Sequence, residues 1–209
     1  MNSTAIPDVV VLRLPLYVRA LTQLQEKSRT VVSSRELGVL LRMTPAQIRK
    51  DLSYFGKFGK QGRGYSVGFL REELQQILGL DRSWHACLVG VGRLGQAIVN
   101  YPGFAPEGFT IVAALDRHDD QIGKNVAGIT VRPMSDLAKT VRDHSVAVAI
   151  VAVPAREAQQ VIDTIVRAGV RGILNYAPIA AEVPEDVVIR NVDPVMSLQS
   201  MTFYLMRDT

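Results

Sequence analysis

The run GVGRLG at residues 90–95 constrains this chain more than any other feature. It follows a short apolar stretch, HACLV (85–89), and precedes a helical pattern, QAIVNY (96–101). Glycines spaced G-x-G-x-x-G between a strand and a helix form a phosphate-binding turn. The first allows the turn, the second lets backbone approach a pyrophosphate, and the third lets helix and strand pack closely. The helix start adds unpaired N–H groups and a partial positive charge. On this reading Gly90, Val91, Gly92, Arg93, Leu94 and Gly95 form a dinucleotide loop. A second predicted strand, FTIVAALD (109–116), ends on Asp116, placed to hydrogen-bond an adenosine ribose and to disfavour the extra phosphate of NADP. A nucleotide-free or coenzyme A-binding relative of the same fold is the open alternative.

Further alternation follows: a helix near 135–142, strand VAVAIVAV (146–153), a helix over 155–168, and strands GILNY (172–176) and VVIRN (187–191). Strands alternating with helices argue a parallel sheet covered on both faces, a Rossmann-type α/β domain over residues 81–192. The loops at the strand carboxyl ends carry Val153, Pro154, Asn175, Ala177 and Pro178, which should line the ligand crevice. These groups suit a nicotinamide ring and offer little for acid–base chemistry on a substrate. His85, His118 and His144 read as structural or solvated, and Cys87 as a small core residue. Residues 193–209 are too few for a substrate domain, so the chain is not expected to be an enzyme. A small NAD-dependent oxidoreductase stays as the alternative of another class.

The charge is unevenly placed. Residues 1–80 carry 12 Lys and Arg against 6 Asp and Glu, whereas residues 81–209 carry 12 against 14. Arg42, Arg49, Lys50, Lys57, Lys60 and Arg63 fall within residues 42–63, opposed there only by Asp51. Such a segment is the footprint of a polyanion site or a solvated basic surface, and charge alone does not choose between them. The helical pattern chooses. Leu14, Tyr17, Val18, Leu21 and Leu24 predict a helix over 12–26; Ser33 with Glu36 predicts a capping box opening a second. Thr44 and Pro45 open a third, which should run to about Phe55, with Gln47 closing the box. Ile48, Leu52 and Phe55 form its inward stripe, while Gln47, Arg49, Lys50, Ser53 and Tyr54 lie largely outside it and could meet phosphates and base edges.

Two helices joined by a short turn, the second polar and basic outward, form a helix-turn-helix; a plain three-helix module is the alternative. The glycine-rich segment 56–68 then predicts a wing in which Lys60 and Arg63 reach phosphate or minor groove, with Lys57 at its base. Residues 1–80 thus read as a winged-helix DNA-binding domain, closed by a helix over 69–79. At the other end, residues 194–207 are helical in pattern but apolar on most sides, with Val195, Met196, Leu198, Met201, Phe203, Tyr204, Leu205 and Met206. A helix of that kind must be buried. Packing into a second copy of the chain answers this, and packing back onto its own chain is the alternative. No apolar run is long enough to span a membrane, and a single cysteine cannot form an internal disulfide, which together fit a cytoplasmic protein.

The strings QIRKDLSYFGKFG (47–59), GRGY (62–65), GVGRLG (90–95), VPAREAQ (153–159), GILNYAP (172–178) and NVD (191–193) carry a more specific likeness. The first is the distinctive one. Through them the chain resembles the Rex family of redox-sensing transcriptional repressors along nearly its full length. That resemblance implies a homodimer on palindromic operator DNA, held by a swapped C-terminal helix over residues 193–209. It implies Rossmann domains that sense NADH against NAD+, with NADH favouring a closed dimer that leaves DNA. Arg49, Lys50, Ser53 and Tyr54 match the family's DNA-reading positions, and Arg19, Tyr101 and Asp193 its inter-domain and inter-subunit contacts. The chain departs from the family's pattern at Gln61, where the wing usually carries Arg; at Arg117 and His118, where a second acid often follows Asp116; and at Pro194, in place of a bulky apolar residue. An Arg beside the ribose site can accommodate a 2′-phosphate.

Overall fold

The computed structural model describes residues 6–206 apart from residues 61 and 62, with Lys60 in its backbone only. The chain forms two compact units, Met1–Arg82 and Ser83–Thr209.

In the first unit the predicted opening helix is α2 (Leu14–Glu26), starting where Pro15 needs no hydrogen-bond partner for its nitrogen, and a short helix that was not predicted, α1 (Asp8–Val11), precedes it. A two-residue strand β1 (Val31–Val32) leads to α3 (Ser34–Leu41). Its capping box is complete, with Ser33 Oγ accepting from Glu36 N at 3.1 Å and Ser33 N donating to Glu36 Oε2 at 2.8 Å. Helix α4 (Pro45–Ser53) follows, capped by Thr44 Oγ1 accepting from Gln47 N at 3.1 Å. The close turn between them explains Gly38 inside α3: a Cβ there would lie 2.5 Å from Met43 O. Ile48 and Leu52 dock α4 into a core built with Leu14, Tyr17, Leu21, Leu37, Leu70 and Leu74. Burial of each such aliphatic side chain contributes about 1.5–3 kcal/mol.

Strands β2 (Gly59–Lys60) and β3 (Gly64–Ser66) pair antiparallel, and β3 pairs antiparallel with β1 on its other edge. That small sheet is the wing. Helix α5 (Val67–Ile77) closes the unit, beginning two residues before the expected start because Val67 turns into the core instead of extending the strand.

The second unit is a parallel sheet with helices between its strands. Its elements are β4 (Trp84–Val89), α6 (Arg93–Val99), β5 (Phe109–Asp116), β6 (Asn125–Val126), β7 (Ile129–Pro133), α7 (Leu137–Asp143), β8 (Val148–Val151), α8 (Ala155–Arg167), β9 (Gly172–Asn175) and β10 (Val188–Asn191). Among the described residues the strand order is β10-β9-β8-β4-β5-β7-β6, parallel throughout except for the β6–β7 hairpin. The order reverses between β4 and its neighbours, so the carboxyl end of β4 opens the crevice where such sheets bind ligands. The β6–β7 hairpin has no counterpart in the strands predicted from the sequence.

Helix α9 (Pro194–Leu205) ends the described chain, capped by Asp193 Oδ1, which accepts from Val195 N at 2.9 Å. None of its residues is buried; Val195, Met196, Leu198, Met201, Phe203, Tyr204 and Leu205 are all exposed. The helix is thus not buried within the second unit. No helix among the described residues is long and apolar enough to cross a membrane.

Candidate functional sites

In the first unit, α4 presents Arg49 and Lys50 to solvent, with Arg49 Nη1 donating to Ser34 Oγ at 3.1 Å. Arg49, Ser53 and Lys57 line one groove of about 690 Å³ together with Ser33, Ser34 and the wing glycines Gly59 and Gly64. Lys57 and Arg63 line a second groove along the wing. Ser53 Oγ donates to Lys50 O at 2.7 Å, and Tyr54, at the helix end, is half-buried. The Lys60 side chain and Gln61 lie outside the described residues. Guanidinium, ammonium and hydroxyl groups gathered between a helix and a wing can hold phosphates and reach base edges.

Gln47 is placed differently from the expectation. Its side chain neither closes the capping box nor stands free for a base edge: Nε2 donates to Asp51 Oδ1 at 2.6 Å. Asp51 is the residue sequence reasoning missed. It is fully buried and accepts from Arg13 Nε at 2.6 Å, Arg13 Nη2 at 2.7 Å and Tyr17 Oη at 2.9 Å. Burial pushes the Asp51 carboxyl up, but the bonds from Arg13, Gln47 and Tyr17 outweigh it and hold the group below its ordinary value. Burial, then the bond to Asp51, raises the Tyr17 phenol. The available signal was position: Asp51 stands three residues after Ile48 and one before Leu52, on the inward stripe, where a lone acid needs a cation from elsewhere.

In the second unit, the β4–α6 turn and the ends of β5 and β8 enclose a cleft of about 370 Å³ lined by Gly90, Gly92, Asp116, Arg117, Val153 and Pro154, with Glu157 from the first turn of α8. Gly90 sits at φ +94°, where a side chain would also drive its Cβ to 2.6 Å from Ala152 O. A Cβ on Gly95 would collide with Gly90 O, whereas one on Gly92 meets nothing within 4 Å of protein. That open space above Gly92 fits a phosphate against the α6 start. Arg93 and Leu94 are exposed on the first turn of α6. Asp116 Oδ2 accepts from Val91 N at 2.7 Å and Oδ1 from His118 N at 2.9 Å, so its carboxylate is fixed with lone pairs to spare for ribose hydroxyls.

Some expected ligand contacts turn out to be supports. Val91 is fully buried and its N–H is taken by Asp116, so it presents nothing to the cleft. Asn175 is also fully buried: Nδ2 donates to Ala177 O and Asn191 Oδ1, both at 2.9 Å, and Oδ1 accepts from Ala177 N at 3.0 Å. It shapes the loop carrying Ala177, itself buried, and Pro178, which is exposed. None of these three lines the cleft that holds Gly90 and Asp116. His85 Nδ1 lies 2.6 Å from the His144 carbonyl oxygen, a structural bond, and burial pushes the Cys87 thiol up to about 12.

Residues 5–53 match a family described as putative DNA-binding protein N-terminus, and residues 81–179 match the CoA binding domain family. The chain is 52% identical over 202 residues to the redox-sensing transcriptional repressor Rex of Chloroflexus aggregans, covering 97% of this chain and 95% of that one. It is 45% identical over 206 residues to Rex of Streptomyces coelicolor, covering 99% and 80%. A solved structure of RSP in complex with β-NAD+ and operator DNA matches with a TM-score of 0.91 at 36% identity, covering 98% and 94%. One of RSP with β-NADH matches at 0.88 and 34% identity, covering 98% and 96%. The chain belongs to the Rex family.

Within this Rex chain the residues expected at switch contacts are distributed over both units. Arg19 is exposed on α2 of the first unit. Tyr101 follows α6 and is 60% exposed, its ring edge-on to Phe104 at 5.3 Å, and Asp193 caps α9.

Proposed function

We propose that this chain is a cytoplasmic transcriptional repressor that binds operator DNA as a homodimer and leaves it when NADH enters the cleft of the second unit. The observation that carries the reading is the full-length likeness to RSP, which has been solved both with β-NAD+ and operator DNA and with β-NADH. The chain's own groups agree with it. Arg49, Ser53 and Lys57 meet the wing in one groove, and Gly90, Gly92 and Asp116 meet in one cleft.

The dinucleotide acts as an effector. Gly92 and the α6 start would hold its pyrophosphate, Asp116 its adenosine ribose, and Val153 with Pro154 would shield it from water. The shift between DNA-bound and released dimers then equals the difference in NADH affinity between the two forms, no more. A second copy covering the apolar faces of α9 would make the dimer.

Fluorescence anisotropy on a palindromic operator of the family type, at one fixed salt concentration, tests this with NADH, NAD+ and coenzyme A added separately. NADH should release the DNA at far lower concentration than NAD+, and coenzyme A should not. Release by coenzyme A alone, or DNA binding indifferent to all three, would remove the redox reading.

A further inference from the structure

Arg117 follows Asp116 directly, at the strand end where a 2′-phosphorylated ribose is ordinarily met by an arginine. Here that guanidinium is already taken. Its Nη2 lies 2.8 Å from Glu157 Oε1, and its Nε lies 3.3 Å from His118 Nε2. The two partners of the ion pair differ in freedom: the Glu157 side chain is 10% exposed and the Arg117 side chain 51%.

The carboxylate is therefore the fixed member. It stands in the first turn of α8, where the helix dipole favours negative charge, and a second cation, Arg156 Nε, lies 3.3 Å from the same oxygen. Glu157, Arg117, Asp116 and Asp120 all line the cleft.

A 2′-phosphate entering this end would have to draw Arg117 away from Glu157. That would cost a nearly buried carboxylate its nearest cation and would set the phosphate beside Asp116 and Glu157, both of like charge. A ribose with free hydroxyls meets neither penalty, because hydroxyls donate to carboxylates.

We propose that Glu157 is a specificity-determining residue, which sequesters Arg117 and so reserves the cleft for a dinucleotide lacking the 2′-phosphate. The inference rests on the reading of this cleft as the dinucleotide site. It assigns the preference to a pair 40 residues apart, not to Asp116 alone.

Direct titration of the full-length protein with NADH and with NADPH, followed by the fluorescence of the bound dinucleotide, tests the assignment in Glu157→Gln, Arg117→Ala and the double variant. Wild type should prefer NADH. Glu157→Gln should tighten NADPH by about tenfold, the size of one new charge-assisted hydrogen bond from Arg117 to the phosphate, with NADH little changed. The double variant should lose that increase. Arg117→Ala should leave NADPH as weak as in wild type, since the guanidinium is not available to it, and this variant leaves the buried carboxylate in place.

A pair that only fastens α8 to the β5 end would lower both affinities together and leave their ratio unmoved in Glu157→Gln, which would overturn the proposal. So would a marked loss of NADPH affinity in Arg117→Ala, which would mean that Arg117 already serves the phosphate. Wild type that binds neither NADH nor NADPH would overturn the dinucleotide reading itself, an outcome distinct from an unchanged ratio.

Discussion

Arg13 Nε lies 2.6 Å from Asp51 Oδ2, and the pair ties helix α2 to the middle of the helix that carries Arg49 and Lys50. Asp51 is fully buried, whereas the Arg13 side chain is 21% exposed. Removing either member therefore has unequal cost. Arg13→Ala strands a buried carboxylate and should destabilise the first unit by about 3–5 kcal/mol. Asp51→Asn frees an arginine that can reach water and should cost less, about 1–3 kcal/mol from the hydrogen bonds it weakens. Urea unfolding of the two variants checks the order, and equal losses would contradict it.

This cluster, with the α3 capping box, shapes the pH dependence of the first unit. Asp51 is held below its ordinary value, against burial, by Arg13, Gln47 and Tyr17, and Glu36 is brought down to about 2 by the Ser33 amide and hydroxyl and by Arg29. A carboxyl whose pKa is depressed in the fold stabilises it fully above the unfolded value of about 4 and loses that contribution as pH falls. Tyr17 has the opposite sign. Its raised pKa stabilises the fold below the unfolded value of about 10, and the contribution is lost as pH rises further. Melting temperature against pH should show a plateau between about pH 5 and 9, falling on both sides. Asp51→Asn should flatten the acid limb, and an unchanged acid limb would remove Asp51 from it.

Gly92 and Gly95 separate ligand from fold. Gly95→Ala pushes a methyl into Gly90 O and should destabilise the second unit, whereas Gly92→Ala meets no protein atom and should melt as wild type does. Gly92→Ala should nonetheless bind NADH poorly, because the methyl takes the space a pyrophosphate needs. Calorimetry with and without NADH distinguishes them; Gly92→Ala retaining normal NADH affinity would take Gly92 out of the site.

On the DNA side, Arg49→Ala should lower operator affinity by about 1–3 kcal/mol and relax specificity, while Lys50→Ala should weaken all sequences alike and reduce the salt slope by about 1. Gln47→Ala should act differently from both, because the amide serves Asp51: the loss should appear in stability before it appears in base preference. Affinities on operator and scrambled DNA at several salt concentrations read these apart.

What could be read in advance was local. Ser33 with Glu36, and Thr44 with Pro45, cap helices through residues close in sequence, and the spacing of Gly90, Gly92 and Gly95 fixes a turn within six positions. What could not be read joins distant residues. Arg13 and Asp51 are 38 positions apart, and Arg117 and Glu157 are 40, so neither pair leaves a mark in a helical or strand period. Gln47 offered a cap and a base contact, and Asp51 four residues later on the same face claimed it instead. The β6–β7 hairpin was missed because its two-residue turn uses Ala127 at φ +52° before Gly128 at φ +81°. Asparagine is the usual residue there; in this chain Asn125 Oδ1 supports the turn from outside by accepting from Gly128 N at 3.0 Å.

The central claim is that one molecule couples DNA and NADH, and coupling is reciprocal. If NADH lowers operator affinity by some factor, saturating operator must lower NADH affinity by the same factor, within the roughly 5–150-fold range such couplings span. Measuring NADH affinity on the full-length protein, with and without saturating operator, tests this most directly. The account predicts weaker NADH binding on DNA by the factor found in the operator titration. The same NADH affinity with and without operator would contradict it.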